Sequence, residues 1–239
     1  MQEKSSGTPI VNLHAQPVQS HRRSARSRAV LMTAAVAMAA ALAVACGGSD
    51  DSAAEQAALV SQGQQIFRFD TFGDEIKWTD ALRIHEVISA AVDPVTALSV
   101  GLKVDSEALP AAVVQGIQSG AIDLKSPATT IALLKLNAVV GLKGTVTNVN
   151  GQDTLTKVGI TCALCHSTVD NSFAPGIGKR LDGWANRDLN PGAIIALSPS
   201  LDPATKAVLN SWGAGKFDPR SNIDGLSKPV VIPPAYGLE

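Results

Sequence analysis

The sequence predicts a mainly α-helical protein, and two kinds of observation carry that prediction. Four helix starts share one device, a capping side chain followed by Pro at the first helical position: Asp93-Pro94, Ser126-Pro127, Asn190-Pro191 and Asp202-Pro203. The capping oxygen accepts from a first-turn N–H that has no partner inside the helix, and Pro at that turn has no N–H to satisfy. The stops are as legible. Gly141 follows a helix expected over Ala128 to Val140, and Gly213 follows one over Ala204 to Trp212. Two more helices are expected over Thr79 to Val92, ended by Asp93-Pro94, and over Glu107 to Gln118, opened by Ser106 and closed near Gly120. The exception is Thr145 to Ile160, where Asn150-Gly151 between β-branched residues predicts a small β-hairpin. No internal repeat is visible in the sequence.

Composition bounds the class of protein. The chain has 239 residues, 45% of them apolar, with 20 Lys+Arg against 21 Asp+Glu, as expected of a globular protein rather than a disordered one. Its start differs from the rest. Four arginines between Arg22 and Arg28 precede Ala29 to Ala45, a run of Ala, Val, Leu and Met with a single Thr. A basic segment followed by an apolar one is an export signal. The run is shorter than the roughly 20 residues that span a bilayer and stops at a small residue before Cys46, so residues 1–45 read as a signal peptide rather than a membrane span. Arg22-Arg23 lacks the rest of a twin-arginine pattern and counts only as charge. Gly47 to Asp51 opens a flexible polar tether, expected over 46–61, ahead of one domain over 62–239. Without residues 1–45, which hold five basic residues and one acidic one, the remainder carries 15 Lys+Arg and 20 Asp+Glu, a net charge of −5. That balance argues against nucleic acid and permits a basic redox partner protein.

The chain has three cysteines: Cys46 at the leader boundary, and Cys162 and Cys165, three residues apart. Cys162-Ala163-Leu164-Cys165-His166 has the spacing by which a c-type haem is attached. On one helical turn the two thiols reach the two vinyl groups along one haem edge, and the next residue lies beneath the iron as an axial ligand. One covalent haem is therefore the expected cofactor, held by Cys162 and Cys165 with His166 on the metal. The other readings of the pair are a disulfide, a zinc site and a thioredoxin-type dithiol. Zinc wants a fourth ligand, whereas His85 is the only further His after residue 45 and no spare Cys accompanies it. No βαβ pattern surrounds the pair as a thioredoxin-type dithiol requires. Nine aromatic residues are few for this length, and a buried haem would supply a large flat apolar body.

Further motifs resemble known families. Leu42-Ala43-Val44-Ala45-Cys46 resembles a bacterial lipoprotein signal, which implies a lipid on Cys46, a membrane anchor and a periplasmic location. Ala174-Pro175-Gly176-Ile177-Gly178-Lys179-Arg180-Leu181 resembles a segment of class I cytochrome c in which a Pro carbonyl holds the second nitrogen of the proximal His. The resemblance implies that Pro175 plays this part for His166, a support expected of a metal-ligating His. Gly63-Gln64-Gln65-Ile66-Phe67 is similar to the first cytochrome helix, although Cys162 follows Gly63 by 99 residues. The resemblance thus implies a cytochrome c-like helical domain with a helical insert over 79–142. Over most of residues 46–239 the chain also resembles a longer group of bacterial cytochrome c proteins, through Ile66 to Gly73, Ala97 to Asp105, Cys162 to Trp184 and Ile232 to Leu238. Lys179 and Arg180 are candidates to pair with haem propionates, and the indole of Trp184 is a candidate donor; simple solvation is the alternative. Trp212 and Phe217 are expected in the core. Asp70 and Glu75 near Trp78 form no acid/base pair by spacing.

The class I sixth ligand is a Met, and the only Met residues are Met1, Met32 and Met38, all within the leader. His85 is the remaining imidazole. Leu82 and Ile88 flank it at i−3 and i+3, so it can face the interior, either as an iron ligand or as a core-edge His bonded to a carbonyl or to Glu86. Three functions stay open: an exported one-electron carrier, a peroxidase-like haem enzyme with an open sixth position and His85 as acid/base, and a ligand sensor or subunit completed by another chain.

Overall fold

The computed structural model describes residues 48–218 and 228–236. Residues 48–57 belong to one unit and residues from Ala58 onward to a second. Helix α1 runs over Gly48–Phe69, so the expected tether is helical from Gly48 on. Ala53, Ala54, Ala57 and Ala58 explain it, since Ala is the strongest helix former.

The helix expected over Thr79 to Val92 is interrupted. A π-helical turn occupies Ile76–Ala81, Arg83 takes a left-handed φ of 54°, and α2 then spans Ile84–Ala91. Tertiary bonds override the local pattern here. The Thr79 hydroxyl donates to the Val158 carbonyl (3.3 Å) and accepts from the Val158 N–H (3.1 Å). Helix α3 covers Pro94–Ser99, with Asp93 accepting from the Thr96 N–H as its start pattern predicts. Strand β1 is Val104–Asp105. The expected helix from Glu107 begins late, as a 3₁₀ turn at Ser106–Ala108 followed by α4 over Ala111–Gln118, because Pro110 brings no N–H and precedes the first helical residue. The Asp105 carboxylate, not Ser106, caps that turn. Helix α5 spans Pro127–Lys135 and ends before the expected Val140: Asn137 turns left-handed (φ 54°) and Ala138 N–H donates back to the Leu133 carbonyl.

The hairpin forms as expected, with β2 over Leu142–Val149 and β3 over Gln152–Ile160. Positive φ at both Asn150 (53°) and Gly151 (85°) gives the turn the twist that antiparallel strands need. Beyond it come α6 (Ala163–His166), β4 (Ser167–Val169), β5 (Ile177–Gly178), β6 (Arg180–Asp182), α7 (Pro191–Ala196), α8 (Pro203–Asn210), β7 (Lys216–Phe217) and β8 (Val230–Val231). Asn190 and Asp202 cap α7 and α8 through the N–H groups of Ala193 and Thr205. The strands pair as β1 with β5 in parallel, and β2 with β3, β4 with β6 and β7 with β8 antiparallel. The architecture is therefore mixed, with helices joined by small two-stranded sheets.

Residues 79–142 do not form a layer of their own. One core unites Ile84, Ile88, Leu133, Leu134 and Val139 with Leu155, Leu164, Ile177, Leu189 and Ile232. Its axis is the buried segment Val100 to Asp105. Val104 N–H donates to Gly176, Asp105 N–H to Ala138, Val140 N–H to Lys103 and Asn190 N–H to Val100, while the Asn186 amide donates to the Gly101 carbonyl. Trp212 is buried against Phe217, the rings meeting edge-on at 5.7 Å, as their expected core role requires.

Two glycines with nearly equal dihedrals separate backbone strain from packing. Gly141 has φ 78°, and a β-carbon there would lie 2.1 Å from the Leu164 backbone; Gly151 has φ 85° with nothing within 4 Å. Gly151→Ala is expected to cost about 1–2 kcal/mol from backbone strain alone. Gly141→Ala is expected to exceed about 4 kcal/mol, because the backbone of α6 must also move. Denaturant midpoints of the two variants check the difference.

Candidate functional site

The pentapeptide sits where β3 runs out. Thr161, one residue past the strand, donates its N–H to Gly141 and its hydroxyl to the Arg68 carbonyl (3.2 Å), and it bridges to Thr71. The chain then closes one turn, with His166 N–H donating to the Cys162 carbonyl at 3.2 Å. Ala163 is fully buried, in a cluster with Val140, Val169 and Phe67 of α1. The end of α1 is also tied down by charge. Arg68 Nε lies 2.6 Å from the Asp182 carboxylate, which accepts as well from Ser167 (2.9 Å) beside the motif. The long separation in sequence thus closes to packing of Phe67 against the cluster that holds Ala163.

Cys162 and Cys165 are partly buried free thiols, not a disulfide. Burial pushes the Cys165 thiol up to about 11, and its neighbour Cys162 adds to the shift. Cys165 is thereby held as the neutral thiol, the weaker nucleophile of its two forms. Among the described residues no group of three or more His, Cys, Asp or Glu is placed to hold a metal ion, so a zinc site is not supported either.

His166 is fixed by a residue that sequence reasoning did not assign. Its Nδ1 lies 3.0 Å from the carbonyl oxygen of Pro233, 67 residues downstream, and not against Pro175. A carbonyl only accepts, so Nδ1 carries a proton, and in the neutral ring Nε2 is then the bare nitrogen. Nε2 has no hydrogen-bond partner among the described residues. Pro175 is exposed and borders an open groove with Leu98, Lys103 and Asp188. Its loop is organised around other groups: Asp170 accepts from the N–H groups of Ser172 and Lys179, and Asn171 from that of Gly176, which seats the loop against Leu98 instead of His166.

The other candidates scatter. Lys179 is exposed, its ammonium 3.9 Å from Glu107. Arg180 is not a solvated surface cation but is buried, its Nε 3.1 Å from Asp105 and its guanidinium 5.5 Å from the Phe69 ring centre. Desolvation lowers the Arg180 pKa and the Asp105 carboxylate opposes that shift. Nη1 is buried with no partner. Trp184 is half exposed and rests against Tyr236, centroids 5.6 Å apart. His85 is partly buried on α2, where Glu86 pairs with Arg83 rather than with it, and its Nδ1 is buried without a partner. Its neighbours Ile84 and Ile88 line a wholly apolar cavity of about 50 Å³ with Leu102, Val158 and Leu164. That cavity has room for water but offers it no polar partner. Glu75 accepts from the Thr71 hydroxyl (2.6 Å), which lowers its pKa, and forms no pair with Asp70. Cys46 and the leader lie outside the described residues. No helix among the described residues is long and apolar enough to cross a membrane.

The buried Arg180–Asp105 pair carries a test of its own. Asp105→Ala leaves a buried guanidinium uncompensated and is expected to destabilise by about 3–5 kcal/mol. Asp105→Leu with Arg180→Met removes both charges and is expected to recover most of that loss, as read in urea unfolding. Comparison with known proteins returns no matching family model, no matching curated protein and no matching solved structure.

Proposed function

We propose that this chain is an exported c-type cytochrome that carries one covalent haem and passes single electrons. The observation that carries the reading is His166: its Nδ1 is engaged by a carbonyl and its Nε2 has no partner, directly after Cys165 and one helical turn after Cys162, both free thiols. Those residues fit the group. A ligating imidazole needs its second nitrogen held, and a thiol that is to form a thioether must not be locked in a disulfide. Cys162 and Cys165 would hold the vinyl edge and His166 Nε2 the iron. The bound haem supplies reversible one-electron exchange at the metal.

The protein's own contribution is support. Phe67 and Ala163 pack the turn, Thr161 anchors its start and Asp182 ties α1 to the strand after it. Of the two basic candidates for a propionate, Arg180 is supported by its unpartnered Nη1, whereas the exposed Lys179 lies near Glu107. His85 is the second imidazole of residues 46–239, and its unpartnered Nδ1 supports it as the other axial ligand. In this reading the fold is a cytochrome c-like domain whose inserted segment 79–142 shares the core, the partner is a redox protein, and a lipid on Cys46 keeps the chain on the periplasmic side of a membrane.

Covalent haem is tested by acetone extraction of the denatured protein followed by a pyridine haemochrome assay. Haem is expected on the polypeptide, and its complete loss to the extract would refute the reading; Cys162→Ala with Cys165→Ala is expected to abolish stable holoprotein. Ligation is tested by ferric spectra. If His85 binds iron, His85→Ala converts a low-spin spectrum to high spin and opens the metal to cyanide. An unchanged spectrum removes His85 as ligand, and a wild type already high-spin, whose peroxide turnover disappears in His85→Ala, favours the peroxidase-like enzyme.

A further inference from the structure

Residues 228–236 run as a strap across the pentapeptide's side of the molecule. Lys228 N–H donates to the Asp218 carboxylate, Val230 and Val231 pair with Phe217 and Lys216, and Ile232 is buried in the main core with its N–H on the Gly215 carbonyl (2.9 Å). Past the Pro233 carbonyl that meets His166, Ala235 N–H donates to Gly183 (2.7 Å) and the Tyr236 ring rests on Trp184. The Pro233 carbonyl is therefore held between two anchors, Ile232 on one side and Ala235 with Tyr236 on the other. Neither proline of Pro233-Pro234 has an N–H to bond elsewhere, and Pro fixes its own φ, so the carbonyl between the anchors has little freedom to turn away.

We propose that this strap is the positioning element of His166. It selects the ring tautomer with the proton on Nδ1, keeps Nε2 bare and aimed by the ring's fixed orientation, and sets how strongly that nitrogen donates. The statement about the ring stands on the geometry alone, whereas its consequence for iron rests on the haem reading. A hydrogen bond from Nδ1–H to a carbonyl raises the basicity of the opposite nitrogen, which favours the more oxidised metal. Loosening the strap should therefore raise the reduction potential of a haem bound at His166.

The test uses the full chain, labelled with ¹⁵N-histidine and examined by NMR as purified. His166 is expected with its proton on Nδ1 and slow exchange of that proton. Ala235→Pro deletes the bond to Gly183 and is expected to speed the exchange about tenfold, as the loss of one hydrogen bond allows. Ala235→Gly, which keeps the N–H, is expected to stay near wild type. Should Ala235→Pro fail to fold, Tyr236→Ala carries the same test against Tyr236→Phe. A wild-type ring protonated on Nε2, or exchange unmoved by both Ala235→Pro and Tyr236→Ala, overturns the proposal. A protected Nδ1 proton in a chain without covalent haem upholds the strap and refutes the haem reading. In haem-loaded protein the midpoint potential is expected to rise in Ala235→Pro, and an unchanged potential overturns the part that concerns iron.

Discussion

Burying a length of backbone obliges every N–H and C=O along it to find a partner, and Val100 to Asp105 is where this molecule meets that obligation. The segment lies among residues from four other parts of the chain, near positions 138–140, 176–178, 186 and 190, and bonds to each. An isolated strand there would leave unpaired polar groups in a core lined by Leu102, Val104 and Leu189. The constraint explains why residues 79–142 share the core instead of standing apart as a lobe: their end, at Ala138 to Val140, supplies partners that the central segment cannot do without. It also explains the buried ion pair. Asp105 ends the segment, caps the following turn with one carboxylate oxygen and meets Arg180 with the other, so a charge that would be costly alone is matched inside the fold.

The pentapeptide is fixed from three directions by residues remote from it in sequence. Phe67 and Arg68 come from α1, Thr161 is delivered by the hairpin, and Pro233 reaches back from the far side. None of these contacts is strong singly; a packed ring, a hydroxyl bond and a carbonyl contribute on the order of 1 kcal/mol each. Together they constrain the imidazole, the turn and the thiols at once, and it is this joint constraint that a ligand-bearing His requires.

Much of this was legible in the sequence because it depends on neighbours in the chain. The Asp93, Asn190 and Asp202 caps, the Asn150-Gly151 turn and the burial of Trp212 rest on local chemistry, and they formed as the sequence implies. Thr79 to Val92 departs from its continuous helical pattern because the bonds of Thr79 go to Val158, 79 residues away, and outweigh it. Glu107 to Gln118 was misread for a local reason, since Pro110 stood in plain view. At the site, the spacing of Cys162, Cys165 and His166 was visible, yet the partner of His166 was assigned to the nearer proline. The motif Ile232 to Leu238 carries no role in the sequence, because a backbone carbonyl leaves no signature in residue type. The burial of Arg180, a candidate for a haem propionate or for solvent by sequence, depends on a remote mate, Asp105, 75 residues earlier.

The distance of 67 residues between His166 and the carbonyl that holds it also sets an order of events. A chain is made from its N-terminus at about 5–20 residues per second, so His166 is added roughly 3–13 s before Pro233. Until residues 228–236 dock, the contacts of α1 and the hairpin can hold the turn, but the imidazole lacks the carbonyl that restrains it. The docking of residues 228–236 is therefore the step that locks the ring, so a segment made late gives its final geometry to a motif made earlier.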